Sequence, residues 1–380
     1  MIILFSWDKI EHLAAKQIEC LLNASDEISL IVVTQIVQKD ALVTNVLSMK
    51  RIISVEIMPH AQHFFGKILY YLKWLYIFFR YDFDLIDVKM AHSQEAKVST
   101  FLARIFDKKL ILNILGKERH VFEKDFFKKR VRKSIINVIK KADFLVCVDQ
   151  TLVETARKIR KEDTNLLKLW NSHQVIDINK IDSADIRKKY NIKKESLVVL
   201  FNHRIIKQKR PEIFLKAVKE ILTRNNNNIV FIIVSTEKNV EIISKIINIK
   251  KQFPDNLIWL GRKRRLNFQE MKELYAISDI GVNIAELVVP SLATLEAMAT
   301  GIPQIISDEL DSDAYVEDGI NGFIIDGQNS NELSEKILFL SKNPDIRKQM
   351  SEKCIEKVRN DFSPTEWGNK MIEVYKSLLS

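Results

Sequence analysis

Short runs of Val, Ile, Leu and Phe alternate along this chain with segments whose apolar residues recur at helical spacing. In the first half, residues 2–5, 29–34, 52–57, 85–88, 110–114 and 144–148 read as strands, and 8–22, 62–80, 93–106, 121–141 and 150–161 as helices. In the second half, 197–202, 229–234, 256–260, 280–283, 304–306 and 322–325 read as strands. The helices there fall at 210–223, 238–251, 267–276, 291–299 and 331–342, and two more close the chain at 344–359 and 364–378. Strands apolar on both sides, each followed by a helix, predict parallel sheets covered on both faces. Two such series predict an α/β protein of two doubly wound, Rossmann-like domains, 1–175 and 196–362, joined by the polar stretch 175–195. Residues 363–380 form a last helix. Folds of this kind bind ligands beyond the carboxyl ends of their strands, so the expected site is a cleft between the two domains.

Composition narrows the classes. Of 380 residues only 9 are Gly, and neither GxGxxG nor GxxxxGK[ST] occurs. The three Cys lie far apart, without CxxC or HExxH, so neither a disulfide framework nor a zinc site is expected. The start, MIILFSWDKIEH, has no basic leader, and the most apolar stretch, 64–79, is short for a membrane span and carries Lys67 and Lys73. That stretch reads as a core helix with Tyr70, Tyr71 and Trp74 packed on the sheet. A cytoplasmic protein is expected. The net charge is +10, yet no RNA- or DNA-binding pattern accompanies it. Much of the surplus sits in 117–141, where ten Lys and Arg face three acids among Phe122, Phe126, Phe127, Val131, Ile135 and Val138. Such a segment either touches an anionic membrane from the inner side or is a docked helix with a solvated basic face.

The densest chemistry lies in ATLEAMATGIP, 293–303. A helix opens after a loop and closes at Gly301, with Pro303 beyond it. Its first amides and its dipole suit a phosphate, and Glu296 stands one turn in, either as a carboxylate that accepts from ribose hydroxyls or as the ordinary first-turn acid of a βα unit. Upstream, FNHRIIKQKRP (201–211) places Arg204 and Lys209 on a loop after a strand, where two cations either neutralise a pyrophosphate or are solvated charge at a helix start. RKRR at 262–265 is either an anion-steering cluster or a solvated loop.

Arg204 with Lys209, Leu260–Gly261, Leu274–Tyr275 with Ser278–Asp279, Glu296–Ala299 with Gly301 and Pro303, and Asp318–Gly319 with Asn321–Gly322 follow one another over about 180 residues. In that order and spacing they resemble the second domain of GT-B-fold retaining glycosyltransferases of family 4, the glycosyl transferases group 1. The resemblance implies sugar transfer from a nucleotide-sugar donor, with retention and without a metal or other cofactor. A UDP-sugar is favoured over a GDP-sugar. The acceptor would be a glycan, a lipid-linked group or a protein, in cell-surface polysaccharide or glycoconjugate synthesis. Arg204 and Lys209 would hold the donor diphosphate as catalytic residues, Glu296 the ribose, and the amides around Thr294 and Leu295 a phosphate. Ser291, Gly261 and His203 would complete the donor site. Segments like 117–141 receive lipid-linked acceptors in relatives.

The chain departs from the family pattern. The family's second Glu, eight residues before the ribose Glu, is Val288 here, with Glu286 two residues earlier. His203 replaces a Gly, and the first loop, 6–12, has none. Leu115–Gly116 stands where the family often has His-Gly, which leaves Gly116, His92 and His120 as acceptor-side candidates. These departures support a second reading, a catalytically degenerate protein serving as a partner subunit or glycan-binding module. A third reading is a GT-B enzyme of another class, inverting or epimerising.

Overall fold

The structure is a computed structural model. It describes residues 1–10, 12–38, 41–60, 63–123, 126–162, 164–224, 228–236, 239–261, 264–286 and 291–380. The chain divides into two compact units, Met1–Ser172 with Pro364–Ser380, and His173–Ser363.

In the first unit the strands are β1 (Ile2–Ser6), β2 (Lys9–Ile10), β3 (Ser29–Thr34), β4 (Ile36–Val37), β5 (Ile52–Ile57), β6 (Leu85–Lys89), β7 (Lys109–Ile114), β8 (Phe144–Cys147) and β9 (Leu166–Lys168). Seven form one parallel sheet in the order β5-β3-β1-β6-β7-β8-β9, and β2 pairs with β4 alone. The order reverses between β1 and β6, as doubly wound sheets require. The last helix, Pro364–Leu379, belongs to this unit. Its Trp367, Met371, Ile372, Val374 and Tyr375 share a core with Ile3, Phe5, Ala14 and Ile18. Gly368 makes this packing possible, because a Cβ there would stand 2.7 Å from the Cys20 carbonyl oxygen.

The second unit repeats the plan with β10 (Leu197–Phe201), β11 (Ile229–Val234), β12 (Leu257–Leu260), β13 (Ile280–Asn283), β14 (Gln304–Ser307) and β15 (Gly322–Ile325). They form one parallel sheet in the order β12-β11-β10-β13-β14-β15. Alternation along β10 shows why its run is apolar throughout. Leu197, Val199 and Phe201 enter one core, and Val198 and Leu200 enter the other.

Several elements differ from the sequence pattern, among them the short strands β4 and β9 and a helix at Ala41–Leu47. The first helix begins at His12, because Lys9–Ile10 pairs with β4 and the Asp8 carbonyl accepts from the Gln35 and Ile36 amides. Residues 121–141 are not one helix. A 3-10 turn covers Lys117–Phe122, and the α-helix starts at Lys129, so Phe122, Phe126 and Phe127 precede it. The linker contains a short helix, Ser183–Lys189, capped by the Asp182 carboxylate. The helix Phe64–Arg80 buries only Tyr70, Trp74, Ile77 and Phe78. Tyr71, expected in the core, is 49% exposed, as are Phe64, Phe65, Leu69, Leu72 and Phe79 to similar or greater degree.

Candidate functional site

Three loops at the carboxyl ends of β10, β11 and β12 enclose a cavity of about 460 Å³. Asn202, His203 and Arg204 come from the loop after β10, and Ser235 and Thr236 from the loop after β11. Gly261 follows β12, and Tyr275 and Met271 come from the next helix. Ala293 and Glu296 lie on the helix Leu292–Ala299. The cavity lies beside the β10/β13 reversal of strand order, where doubly wound sheets place their ligands.

Glu296 is held by a relay. Asn202 Nδ2 donates to Tyr275 Oη at 3.1 Å, and Tyr275 Oη donates to Glu296 Oε2 at 2.9 Å. Burial first, and then the adjacent Glu296 charge, push the Tyr275 hydroxyl well above its ordinary range. It therefore stays protonated and keeps donating. The carboxylate is aimed before any ligand arrives, which lowers the ordering cost of binding.

Arg204 is exposed at the mouth of the cavity. His203 beside it is buried. Burial and then the Lys209 charge drive its imidazole well below the usual histidine range, so it is neutral, and it hydrogen-bonds the Val282 backbone. Its ring meets Phe201 edge-on, with centroids 5.4 Å apart. His203 thus anchors the loop that presents Arg204. Lys209 closes the 3-10 turn Lys207–Lys209 and does not line the cavity. Gly261 does, with φ +75°. A Cβ there would lie 3.3 Å from the Ser235 backbone nitrogen, so the left-handed turn and the close approach both favour glycine.

The helix Leu292–Ala299 follows Ser291 as its N-cap. The amides of Thr294 and Leu295 donate to the Ser291 carbonyl at 2.9 and 3.0 Å, and both side chains are buried. Thr294 Oγ1 accepts from Asn283 Nδ2 at 2.8 Å. The open first-turn positions are Leu292 and Ala293, upstream of the expected amides. Gly301 ends the sequence-predicted helix with φ +82°. Val288 lies outside the described residues. Glu286 is exposed and lines a separate cavity with Lys207, Arg210 and Gln328. Of 262–265, Arg264 is paired with Glu270 and Arg265 lines the donor-side cavity, while 262 and 263 lie outside the described residues.

In the first unit, His92 and Gly116 converge and His120 does not join them. Glu118 is fully buried and accepts from His92 Nδ1 at 2.7 Å and from the Gly116 amide at 3.3 Å. Burial would raise its carboxyl, but these bonds hold it below the usual range. His120 turns to Glu123 at 2.5 Å and stacks on Phe126. Among the described residues, no group of three or more His, Cys, Asp or Glu could hold a metal ion.

Residues 182–358 match the family described as Glycosyl transferases group 1. The segment belongs to that family. The group 1 segment thus takes in every lining residue of the cavity described above. The chain is 20% identical to N-acetyl-alpha-D-glucosaminyl L-malate synthase of Bacillus anthracis, over 63% of this chain and 60% of that protein. It is 23% identical to an uncharacterized glycosyltransferase of Methanocaldococcus jannaschii, over 79% of this chain and 76% of that one. The match thus spans less than two thirds of the Bacillus protein. The crystal structure of Anabaena HepE in complex with UDP superposes with a TM-score of 0.75 at 16% identity, covering 99% of this chain and 100% of that one. At that identity the likeness is one of fold, and the fold is GT-B.

Proposed function

We propose that this chain moves a sugar from a nucleotide-sugar donor, UDP-linked in preference to GDP-linked, to a glycan, lipid-linked or protein acceptor. Transfer proceeds with retention and without a metal, in cell-surface polysaccharide or glycoconjugate assembly. The observation that carries this reading is the convergence of Arg204 and the Tyr275-held Glu296 on one cavity. Glu296 accepts from the ribose hydroxyls. Arg204, with Lys209 behind it, stabilises the negative charge that grows on the diphosphate as the sugar leaves. Because the leaving phosphate takes the acceptor proton, the reaction needs no protein base.

Thermal shift tests the donor. At about 100 times its dissociation constant, UDP or the correct UDP-sugar adds about 2.7 kcal/mol, a midpoint rise of roughly 5–10 °C. The rise should persist in EDTA and shrink in Glu296→Ala. Absence of stabilisation by any nucleotide sugar favours the degenerate partner subunit or glycan-binding module, and a Glu296→Ala variant that responds like wild type counts against this donor site.

Peripheral contact with an anionic membrane through 117–141 is part of the proposal, and a second segment also supports it. Within 117–141 the residues Ile135, Val138 and Ile139 are buried, while Phe122 and Phe126 are exposed. The helix Phe64–Arg80 exposes Phe64, Phe65, Leu69, Leu72, Tyr76 and Phe79, and Phe101 and Ile105 of the next helix are exposed as well. Monomeric proteins rarely leave so many large apolar side chains on one helix unpartnered. Exposed Lys67 and Arg80 lie on the same helix, which suits anionic headgroups. Among the described residues no helix is long and apolar enough to cross a membrane. The protein is expected to cosediment with phosphatidylglycerol vesicles. The triple change Phe65→Ser, Leu69→Ser, Leu72→Ser should abolish this without lowering the melting temperature. Undiminished sedimentation of that variant counts against the helix.

A further inference from the structure

The first unit holds a cavity of about 680 Å³, lined by Lys67, Tyr71, His92, Gln94, Lys97, Arg130, Val131 and Ser134. Its charged lining is cationic, and Tyr71, Gln94 and Ser134 are neutral polar groups beside it. Lys67, Lys97 and Arg130 face it from three different helices, and among the described residues none of the three forms an ion pair. No carboxylate among the described residues lines it. Glu118 and Asp8, whose charges interact with His92, are not among the lining residues.

Two helix starts are directed here as well. Gln94 and Lys97 lie in the first turn of Gln94–Ile105, whose N-cap Ser93 accepts from the Ala96 amide. Arg130 and Val131 lie in the first turn of Lys129–Lys141. That helix has no acid in its first turn and no side-chain hydrogen bond at its N-cap Lys128. Its leading amides and the positive end of its dipole add to the charge of the three cations. His92 is held in place by Glu118, so its other ring nitrogen has a fixed direction.

We propose that this cavity binds a phosphate or diphosphate group carried by the sugar acceptor. Three side-chain cations, an uncapped helix start and an oriented imidazole match the charge and the several acceptor oxygens of that group. Calling the anion an acceptor rests on the glycosyltransferase reading. Binding of the anion does not.

The test is calorimetric titration of the full chain with inorganic pyrophosphate, in an Arg204→Ala background so that the donor cavity is not the one titrated. Binding should be present, and should weaken at least tenfold with Lys97→Ala and Arg130→Glu combined. UDP binding, measured in the same double variant with Arg204 intact, should be unchanged. No pyrophosphate binding, or binding that the double variant leaves intact, overturns the proposal. Loss of UDP binding along with it would mean that the double variant misfolds, and Lys97→Gln with Arg130→Gln would then take its place under the same criteria. Competition by phosphatidylcholine vesicles containing phosphatidic acid assigns the group to a lipid. Competition by glucose 1-phosphate alone assigns it to a soluble acceptor. Both results uphold the site. If UDP fails to bind the wild type while pyrophosphate binds as described, the donor reading fails and this cavity stands.

Discussion

Arg204→Ala is expected to lower kcat for sugar transfer by about 10²- to 10³-fold, a loss of about 3–4 kcal/mol of transition-state stabilisation. The reason is where the charge develops. In the bound donor the diphosphate is an ester of the sugar, and as the glycosidic bond breaks it gains a further negative charge. A guanidinium at the mouth of the cavity interacts more strongly with the later state, so kcat and kcat/KM should fall together. Glu296→Ala should behave differently. Ribose contacts are the same before and during bond cleavage, so its loss should appear mainly as a raised donor KM. Tyr275→Phe should resemble a milder Glu296 change, because it frees the carboxylate from the hydroxyl that aims it. Lys207→Ala, exposed and outside the cavity, is the control. Steady-state kinetics with the stabilising nucleotide sugar separate these cases. An Arg204→Ala variant with normal kcat and a raised KM would make Arg204 a ground-state anchor only.

Legibility in the sequence followed the range of the interactions involved. The two sheets could be read because buried parallel strands are apolar on both sides, as the split of β10 between two cores shows. The short strand β9, three half-buried or exposed residues, carries no such signal. Nor do the two-residue strands β2 and β4, which exist only because they meet in space. The helix Phe64–Arg80 was misjudged for a related reason. An all-round apolar pattern says that a helix prefers to be covered, not that this chain covers it. In the candidate site, Arg204 and Glu296 were legible through motif order. The relay that aims Glu296 was not, because Asn202, Tyr275 and Glu296 are 73 and 21 residues apart and only the fold brings them together. The amides meant for phosphate were displaced because helix phase depends on the N-cap. With Ser291 in that role, Thr294 and Leu295 are already bonded. In the first unit, Glu118 looked like one acid in a basic run, yet it is the buried residue on which His92 and Gly116 converge.

Asp87→Ala is expected to destabilise the first unit by about 3–5 kcal/mol. Asp87 and Lys89 are two apart on β6, so both point to the same side of the sheet, and both are fully buried. The Lys89 ammonium lies 2.9 Å from Asp87 Oδ1 and 3.1 Å from Oδ2, and stands over the Phe5 ring at 4.8 Å. Burial pulls its pKa down despite that partner. Asp87 also accepts from Asn113 Nδ2 at 2.6 Å and from Tyr375 Oη at 2.5 Å, and Tyr375 lies on the last helix. Removing the carboxylate therefore strands a buried cation and releases the hydroxyl that ties residues 364–379 to the sheet. Tyr375→Phe removes one charge-assisted bond and should cost less, about 1.5–3 kcal/mol. Asp87→Leu with Lys89→Met should recover most of the loss, because no uncompensated charge remains. Urea denaturation followed by tryptophan fluorescence reads these changes. In a Trp259→Phe background, the remaining tryptophans, Trp7, Trp74, Trp170 and Trp367, all lie in the first unit. A loss below about 1 kcal/mol for Asp87→Ala would mean that water reaches Lys89 in solution. A double variant no more stable than Asp87→Ala would place the cost in the lost Tyr375 and Asn113 bonds and not in the stranded charge.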